Sequence, residues 1–136
     1  MEVTVIRRAH FNAAHRLNVR EWSEEENARY FGLCNNKNYH GHNYVIEVSI
    51  TGKVDPISGY VMDMKDLKLI IENEIENRFD HKNLNLDTIE FKDLNPTAEN
   101  ITIVIWNILR SKIDLNYKLK IKLYETERNI VEYSGN

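Results

Sequence analysis

Residues 42 to 53, HNYVIEVSITGK, set Tyr44, Ile46, Val48 and Ile50 at every second position, with Glu47, Ser49 and Thr51 among the residues between them. A period of two sends apolar side chains to one face of a pleated strand and polar ones to the other, so this stretch reads as a strand buried on one side. KLKIKLYE, residues 118 to 125, repeats the pattern through Leu119, Ile121 and Leu123. One-sided strands need a covering layer, and two stretches of helical spacing supply it. Asp63 is placed to cap a helix with Leu67, Ile70, Ile71 and Ile75 on its apolar face, running to about Phe79, with Asp66 in its first turn. Thr97 is placed to cap a second, striped by Ile101, Val104, Ile105, Ile108 and Leu109.

At the N-terminal side, Glu2 to Ala14 alternates loosely through Val3, Val5, Ile6 and Phe11, reads as a long or bulged strand, and leaves His15 at its far end. A short apolar strand is expected over Asn129 to Tyr133, and VDPISGY at 54 to 60 reads as a turn. Asn18 to Tyr39 and Asp80 to Pro96 read as loops, and the first is longer than ordinary connections and is expected to be functional. The order is ββααββ. Strand pairs on either side of a helix pair predict an α+β fold in which an antiparallel sheet carries both helices on one face. At 136 residues the whole chain, 1–136, reads as one domain.

Lys and Arg total 18 against 21 Asp and Glu, a net charge of −3 that argues against a general nucleic-acid binder. No stretch approaches the roughly 18 to 20 apolar residues of a membrane span. MEVTVIRRAH lacks the apolar core of a signal peptide, and the only cysteine, Cys34, cannot belong to an intrachain disulfide framework. The expectation is a cytoplasmic protein.

The chemistry-bearing residues gather in a few short motifs. His40 and His42, two apart at a strand entry, point to the same face, and His15 at the end of a neighbouring strand can supply a third nitrogen ligand. Three protein ligands with a fourth position open is the pattern of catalytic zinc. The spacing by itself also fits ordinary surface or core histidines. Cys34, six residues before His40, has three readings: a buried apolar thiol, a fourth ligand closing a structural zinc site, or a thiolate whose pKa a nearby cation lowers. Asp80 and His81 are an adjacent carboxylate and imidazole suited to proton transfer, or a helix-end histidine facing the helix dipole. Glu125 at the end of KLKIKLYE can accept two parallel N–H bonds from a planar ligand or be a solvated strand residue. Glu99 is most simply a first-turn helix acid.

Taken together, FNAAHRL at 11–17, FGLCNNKNYHGHNY at 31–44, GYVMDMKDLK at 59–68, DHKNLNLD at 80–87, NPTAENI at 95–101 and LYETERNIVEY at 123–133 resemble the 6-pyruvoyl tetrahydropterin synthase family, in family order across nearly the whole chain. The resemblance implies the tunnelling fold (T-fold), with protomers joined into an oligomeric barrel of trimers, commonly stacked as hexamers, and active sites at subunit interfaces. It implies His15, His40 and His42 as zinc ligands, Cys34 with Asp80 and His81 as acid–base groups, and Glu125 as the anchor of the pterin ring, with Thr97 and Glu99 among the substrate-binding residues. The implied substrate is the small molecule 7,8-dihydroneopterin triphosphate, with neither nucleic acid nor membrane as partner.

Two activities share these motifs. One, of tetrahydrobiopterin biosynthesis, eliminates triphosphate with an internal redox rearrangement to give 6-pyruvoyl tetrahydropterin; the other makes 6-carboxytetrahydropterin for queuosine biosynthesis and releases acetaldehyde. The Asn-Asn pair and long spacing of CNNKNYHGH resemble the pyruvoyl type. Ala98 departs from that type, which places a second hydroxyl residue there. A non-catalytic pterin- or zinc-binding member of the fold is the remaining class, against which Cys34, Asp80 and His81 stand.

Overall fold

A computed structural model describes residues 1–136. Strand β1 (Glu2–His15) and strand β2 (His40–Lys53) form a long antiparallel pair in unbroken register from Glu2 opposite Lys53 to His15 opposite His40. Strand β4 (Lys118–Tyr124) adds antiparallel to the other edge of β2, and β5 (Ile130–Tyr133) adds antiparallel to β4. The sheet departs from the expected four antiparallel strands by one short addition. Within the segment expected to be a loop, β3 (Lys82–Asn83) pairs parallel with Ala13 and Ala14, giving the order β3-β1-β2-β4-β5. Two residues carry too little periodicity to be read from sequence.

The alternating residues sort as their pattern requires. Phe11, Tyr44, Ile46, Val48, Ile50, Leu119, Ile121 and Leu123 are buried, and Phe11 stacks on Tyr44 with ring centroids 5.0 Å apart. The other face is polar: Arg8 pairs with Glu47 at 2.6 Å, Tyr124 reaches Glu47 at 3.3 Å, and Thr4 bonds Thr51 at 2.6 Å.

Helix α2 (Met64–Ile71) starts where Asp63 accepts from the Lys65 amide at 2.9 Å, and a π turn (Glu72–Glu76) leads it into α3 (Asn77–Phe79). Leu67, Ile71, Ile75 and Phe79 are all buried although each is four residues from the last. At about 3.6 residues per turn an ideal helix would rotate such a series off its face, and the wider π turn absorbs the drift. The one-turn α4 (Leu84–Asp87) follows β3. Helix α5 (Ala98–Arg110) begins at Thr97, whose side chain accepts from the Asn100 amide at 3.1 Å, and buries Ile101, Ile105 and Leu109. Truncating one of these to Ala would cost about 2 to 5 kcal/mol through lost burial and a residual cavity.

The segment Asn18 to Tyr39 is not the unstructured loop expected. It contains α1 (Glu24–Phe31) and a 3-10 turn over Gly32–Asn35. Ser23 caps α1 by accepting from the Glu26 amide at 3.1 Å, and Glu24, Glu25 and Glu26 occupy the positive end of the helix dipole. Asn27, the one buried residue of α1, accepts from the Val19 amide at 2.7 Å and donates to the Val19 carbonyl at 2.9 Å. A helix anchored by an asparagine rather than an apolar stripe has no hydrophobic period to read. No helix is long and apolar enough to cross a membrane.

Candidate active site

Long-range register assembles the histidines. Because β1 and β2 pair to their ends, His15 and His40 stand directly opposite each other, and His42 faces the same side one pleat further in. A slip of one residue would turn His40 and His42 to the opposite face, so the buried alternation of Tyr44 to Ile50 also fixes the site. Ring centroids lie 4.6 Å (His15–His40), 5.0 Å (His15–His42) and 4.9 Å (His40–His42) apart. One nitrogen from each ring falls within 4.8 Å of the others, so the three rings converge as ligands would.

Protonation favours a metal. His15 is fully buried, and its Nδ1 lies 2.8 Å from the Pro96 carbonyl oxygen. A carbonyl only accepts, so the proton sits on Nδ1 and the Nε2 lone pair is free, 3.0 Å from His40 Nε2. Burial holds the His15 pKa down at about 4 and lowers that of His40, where the neighbouring His42 adds to the effect. Neutral imidazole is the ligating form. His42 Nε2 and His40 Nδ1 are buried without a hydrogen-bond partner, an arrangement that a cation within reach of His42 Nε2 would relieve in part. The donor set fits zinc in type and number.

Cys34 lies within the 3-10 turn Gly32–Asn35. Its carbonyl accepts from the Leu17 amide at 2.9 Å, which ties it to the residues following His15. The thiol is not among the converging ligand atoms. Burial, with the charge of Glu125 second, raises its pKa. Glu125 follows the last residue of β4 rather than lying within the strand, and its amide donates to the Asn129 carbonyl at 3.0 Å. Tyr44, whose hydroxyl lies 3.3 Å from His15 Nδ1, has its phenol pKa pushed far up by burial, with Glu125 and Cys34 adding to it. His42, Glu125, Tyr124 and Arg8 line a cleft of about 720 Å³.

Asp80 and His81 form a pair, His81 Nδ1 lying 3.0 Å from Asp80 Oδ2. The Asn12 amide, donating to Asp80 at 2.8 Å, is the main cause of a lowered Asp80 pKa, and His81 adds to it. No hydrogen bond or ion pair joins this pair to Cys34. The pair sits at the β3 edge beside Asn12, whose side chain faces away from the core, whereas Glu125 lies beyond β2 at the end of β4. Three strand spacings of about 4.8 Å separate β3 from β4. The His81 side chain is 83% exposed. Tyr39 and His81, the two non-glycine residues with positive φ (67° and 60°), flank His40 and Asp80, so backbone strain concentrates where the candidate groups are held.

Thr97 is committed as the cap of α5, and Glu99 is an exposed first-turn acid; neither touches the histidines. The residue of this segment that does is Pro96, through its carbonyl, and sequence reasoning passed over it because a backbone oxygen has no side-chain signature. Asn35 and Asn85 were missed likewise. Asn85 clamps the Arg16 backbone by two hydrogen bonds of 2.8 and 2.9 Å, and Asn35 holds the Leu17 carbonyl at 2.7 Å.

The sequence model of the family described as 6-pyruvoyl tetrahydropterin synthase matches residues 4–136. The human 6-pyruvoyl tetrahydrobiopterin synthase is 44% identical over 134 residues, 98% of this chain and 92% of the human one. The solved structure of the Caenorhabditis elegans 6-pyruvoyl tetrahydropterin synthase superposes with a TM-score of 0.94 at 40% identity, covering 100% of this chain and 97% of that one. A putative 6-carboxy-5,6,7,8-tetrahydropterin synthase of Archaeoglobus fulgidus is 44% identical over 88 residues, 65% of this chain and 69% of its own. With the match running through every motif from FNAAHRL to LYETERNIVEY, the chain belongs to the 6-pyruvoyl tetrahydropterin synthase family.

Proposed function

We propose that this enzyme is a zinc-dependent lyase that converts 7,8-dihydroneopterin triphosphate to 6-pyruvoyl tetrahydropterin with loss of triphosphate. The observation that carries the reading is the convergence of three histidine nitrogens, His15 fully buried and His40 and His42 half-buried, in a chain whose one free thiol is not among the ligand atoms. His15, His40 and His42 would hold the zinc, which would supply Lewis acidity toward the oxygens of the substrate's propyl chain. Glu125 accepts two N–H bonds from the amino-pyrimidine edge and holds the ring against the end of β4. Cys34 removes a proton from the side-chain carbon next to the ring, and its thiol lies where a bound cation would favour the thiolate. His81, oriented by Asp80, returns protons.

That last role draws on a second copy of the chain, because the His81 side chain is exposed and no hydrogen bond joins it or Asp80 to Cys34 within one protomer. The edges invite one: β3 covers only Ala13 and Ala14, leaving most of the outer edge of β1 open, and β5 is the other open edge. Edge pairing into a closed barrel of trimers, stacked as a hexamer, would bring one protomer's dyad toward its neighbour's metal cluster. A single unpaired thiol suits the reducing cytoplasm.

Incubating the zinc-loaded protein with dihydroneopterin triphosphate and identifying products by mass spectrometry tests the reading. Triphosphate with the pyruvoyl product supports it. Acetaldehyde with 6-carboxytetrahydropterin transfers the chain to the other activity, and unchanged substrate sinks both. A monomer by light scattering at micromolar concentration would contradict the shared site.

A further inference from the structure

We propose that Arg16 and the cleft it lines bind the triphosphate end of the substrate. This rests on the substrate reading above and assigns the one part of that molecule not yet given a partner.

Arg16 follows His15 directly and is held as few surface arginines are. Its amide donates to Asn85 Oδ1 at 2.8 Å, its carbonyl accepts from Asn85 Nδ2 at 2.9 Å, and its Nε donates to the Asn35 carbonyl at 3.1 Å. Three separate motifs, HRL, CNN and NLN, therefore fix one side chain. The guanidinium is half-buried, yet its two terminal nitrogens meet no protein acceptor, and no carboxylate pairs with it. Arg20 and Arg78, by contrast, pair with Asp93 and with Glu74 and Glu90, and Arg110 spends its terminal nitrogens on three carbonyls. A half-buried cation anchored through Nε, with its fork of donors unspent, is a preorganised partner for phosphate oxygens.

Arg16 lines a cleft of about 400 Å³ whose charged residues are Arg16, Arg20 and Lys92 against Glu21 and Asp93, and Asp93 already faces Arg20 at 3.3 Å. Tyr39 and Pro96, neighbours of the metal cluster in chain and in space, form part of the same wall. A second cleft beside Arg16, of about 510 Å³, offers Lys37 but also Glu24 and Glu25, with Lys37 turned to Glu24 at 3.9 Å. The first has three cationic side chains against two acidic ones, the second two against two, so the first is the better seat for an anion.

The order of groups matches the order of the ligand. The sheet sequence β1-β2-β4 puts Arg16 after the end of β1, the His40–His42 pair on β2, and Glu125 after the end of β4. Dihydroneopterin triphosphate is linear in the same sense: ring, three-carbon chain, triphosphate. With the ring at Glu125 and the chain across the histidines, the phosphates fall on the β1 side, where Arg16 waits.

The test compares equilibrium binding of neopterin triphosphate and of neopterin, two fluorescent pterins differing only in the phosphates, to the zinc-loaded protein. In Arg16→Gln the dissociation constant for neopterin triphosphate should rise by about ten- to a hundredfold, with zinc content and neopterin affinity unchanged. Equal weakening of both ligands, or of neither, would overturn the proposal. Should Arg16→Gln fail to fold, the surface pair Arg20→Gln and Lys92→Gln decides: together they should weaken neopterin triphosphate alone by several-fold, and unchanged binding excludes the cleft. If Arg16 is required for triphosphate binding while dihydroneopterin triphosphate is not converted, the anion site stands and the proposed reaction falls. If conversion proceeds and Arg16→Gln binds as the parent does, only the anion site falls.

Discussion

His15 donates from Nδ1 to the carbonyl oxygen of Pro96 at 2.8 Å, across 81 positions of sequence. That single contact decides which nitrogen of a buried ring carries the proton and so aims the Nε2 lone pair at His40 and His42. A carbonyl behind a ligating imidazole fixes its tautomer and raises its basicity. The turn before α5 therefore belongs to the histidine cluster as much as the strands do.

Metal binding follows from this arrangement. The purified protein should carry about one zinc per chain, measured by plasma mass spectrometry. His42→Ala removes the one ligand nitrogen that is buried without any other partner, and should lose most of the metal and lower the melting temperature, because ligation contributes to folding. Full zinc occupancy in that variant would refute the ligand set.

The depressed His15 pKa gives the metal-free protein a signed pH dependence. The ring stays neutral in the folded state down to about pH 4 but takes a proton near pH 6.5 when unfolded. Between those values the unfolded state binds more protons, so stability falls as pH drops through this window and is flat above it. The loss should be on the order of 3 kcal/mol by pH 4 in urea unfolding, with other titrating groups adding their own slopes. His15→Asn should flatten this part of the profile, and an identical profile in the variant would show that His15 is not the group responsible.

Thr97 separates a structural role from a substrate contact. As the cap of α5 it accepts from the Asn100 amide at 3.1 Å, so Thr97→Ala should cost about 1 kcal/mol and Thr97→Asn should restore it. The turn it terminates also presents the Pro96 carbonyl to His15, so the Ala variant should release zinc more readily in chelator titrations. If Thr97→Asn regains stability but not substrate affinity, the hydroxyl touches substrate as well.

Much of this architecture was written in periodicity. Tyr44 to Ile50 and Leu119 to Leu123 alternate strictly because one face is packed and the other polar, and the stripes of α2 and α5 follow from the layer they cover. Helix α1 escaped because its one buried residue is Asn27, although Ser23 with Glu26 three positions on is a capping box that would have marked its start. The histidine cluster was legible because two strand ends bring His15, His40 and His42 together; Pro96, Asn35 and Asn85 were not, because they act through, or upon, backbone atoms whose partners only the tertiary fold supplies. The separation of Asp80 and His81, at the β3 edge, from Glu125, after β4, was likewise invisible, since neighbourhood in a motif list says nothing of strand order.

Cys34 is the residue whose role most sharply divides the readings. If it is the base, Cys34→Ala should keep zinc and fold, because the thiol is not one of the three converging ligands, while activity falls about a hundredfold or more. If it were a fourth ligand, the same change would release zinc and lower thermal stability. Alkylation gives an independent measure. Without metal the thiol's pKa is raised, mainly by burial and then by Glu125, so iodoacetamide should react slowly at neutral pH and faster as pH rises. Loading zinc introduces the missing positive charge, and the pH midpoint of alkylation should move down, with substrate protecting the thiol. A midpoint that stays where it was on metal loading, together with retained activity in Cys34→Ala, would take proton abstraction away from Cys34 and leave it to His81 and Asp80.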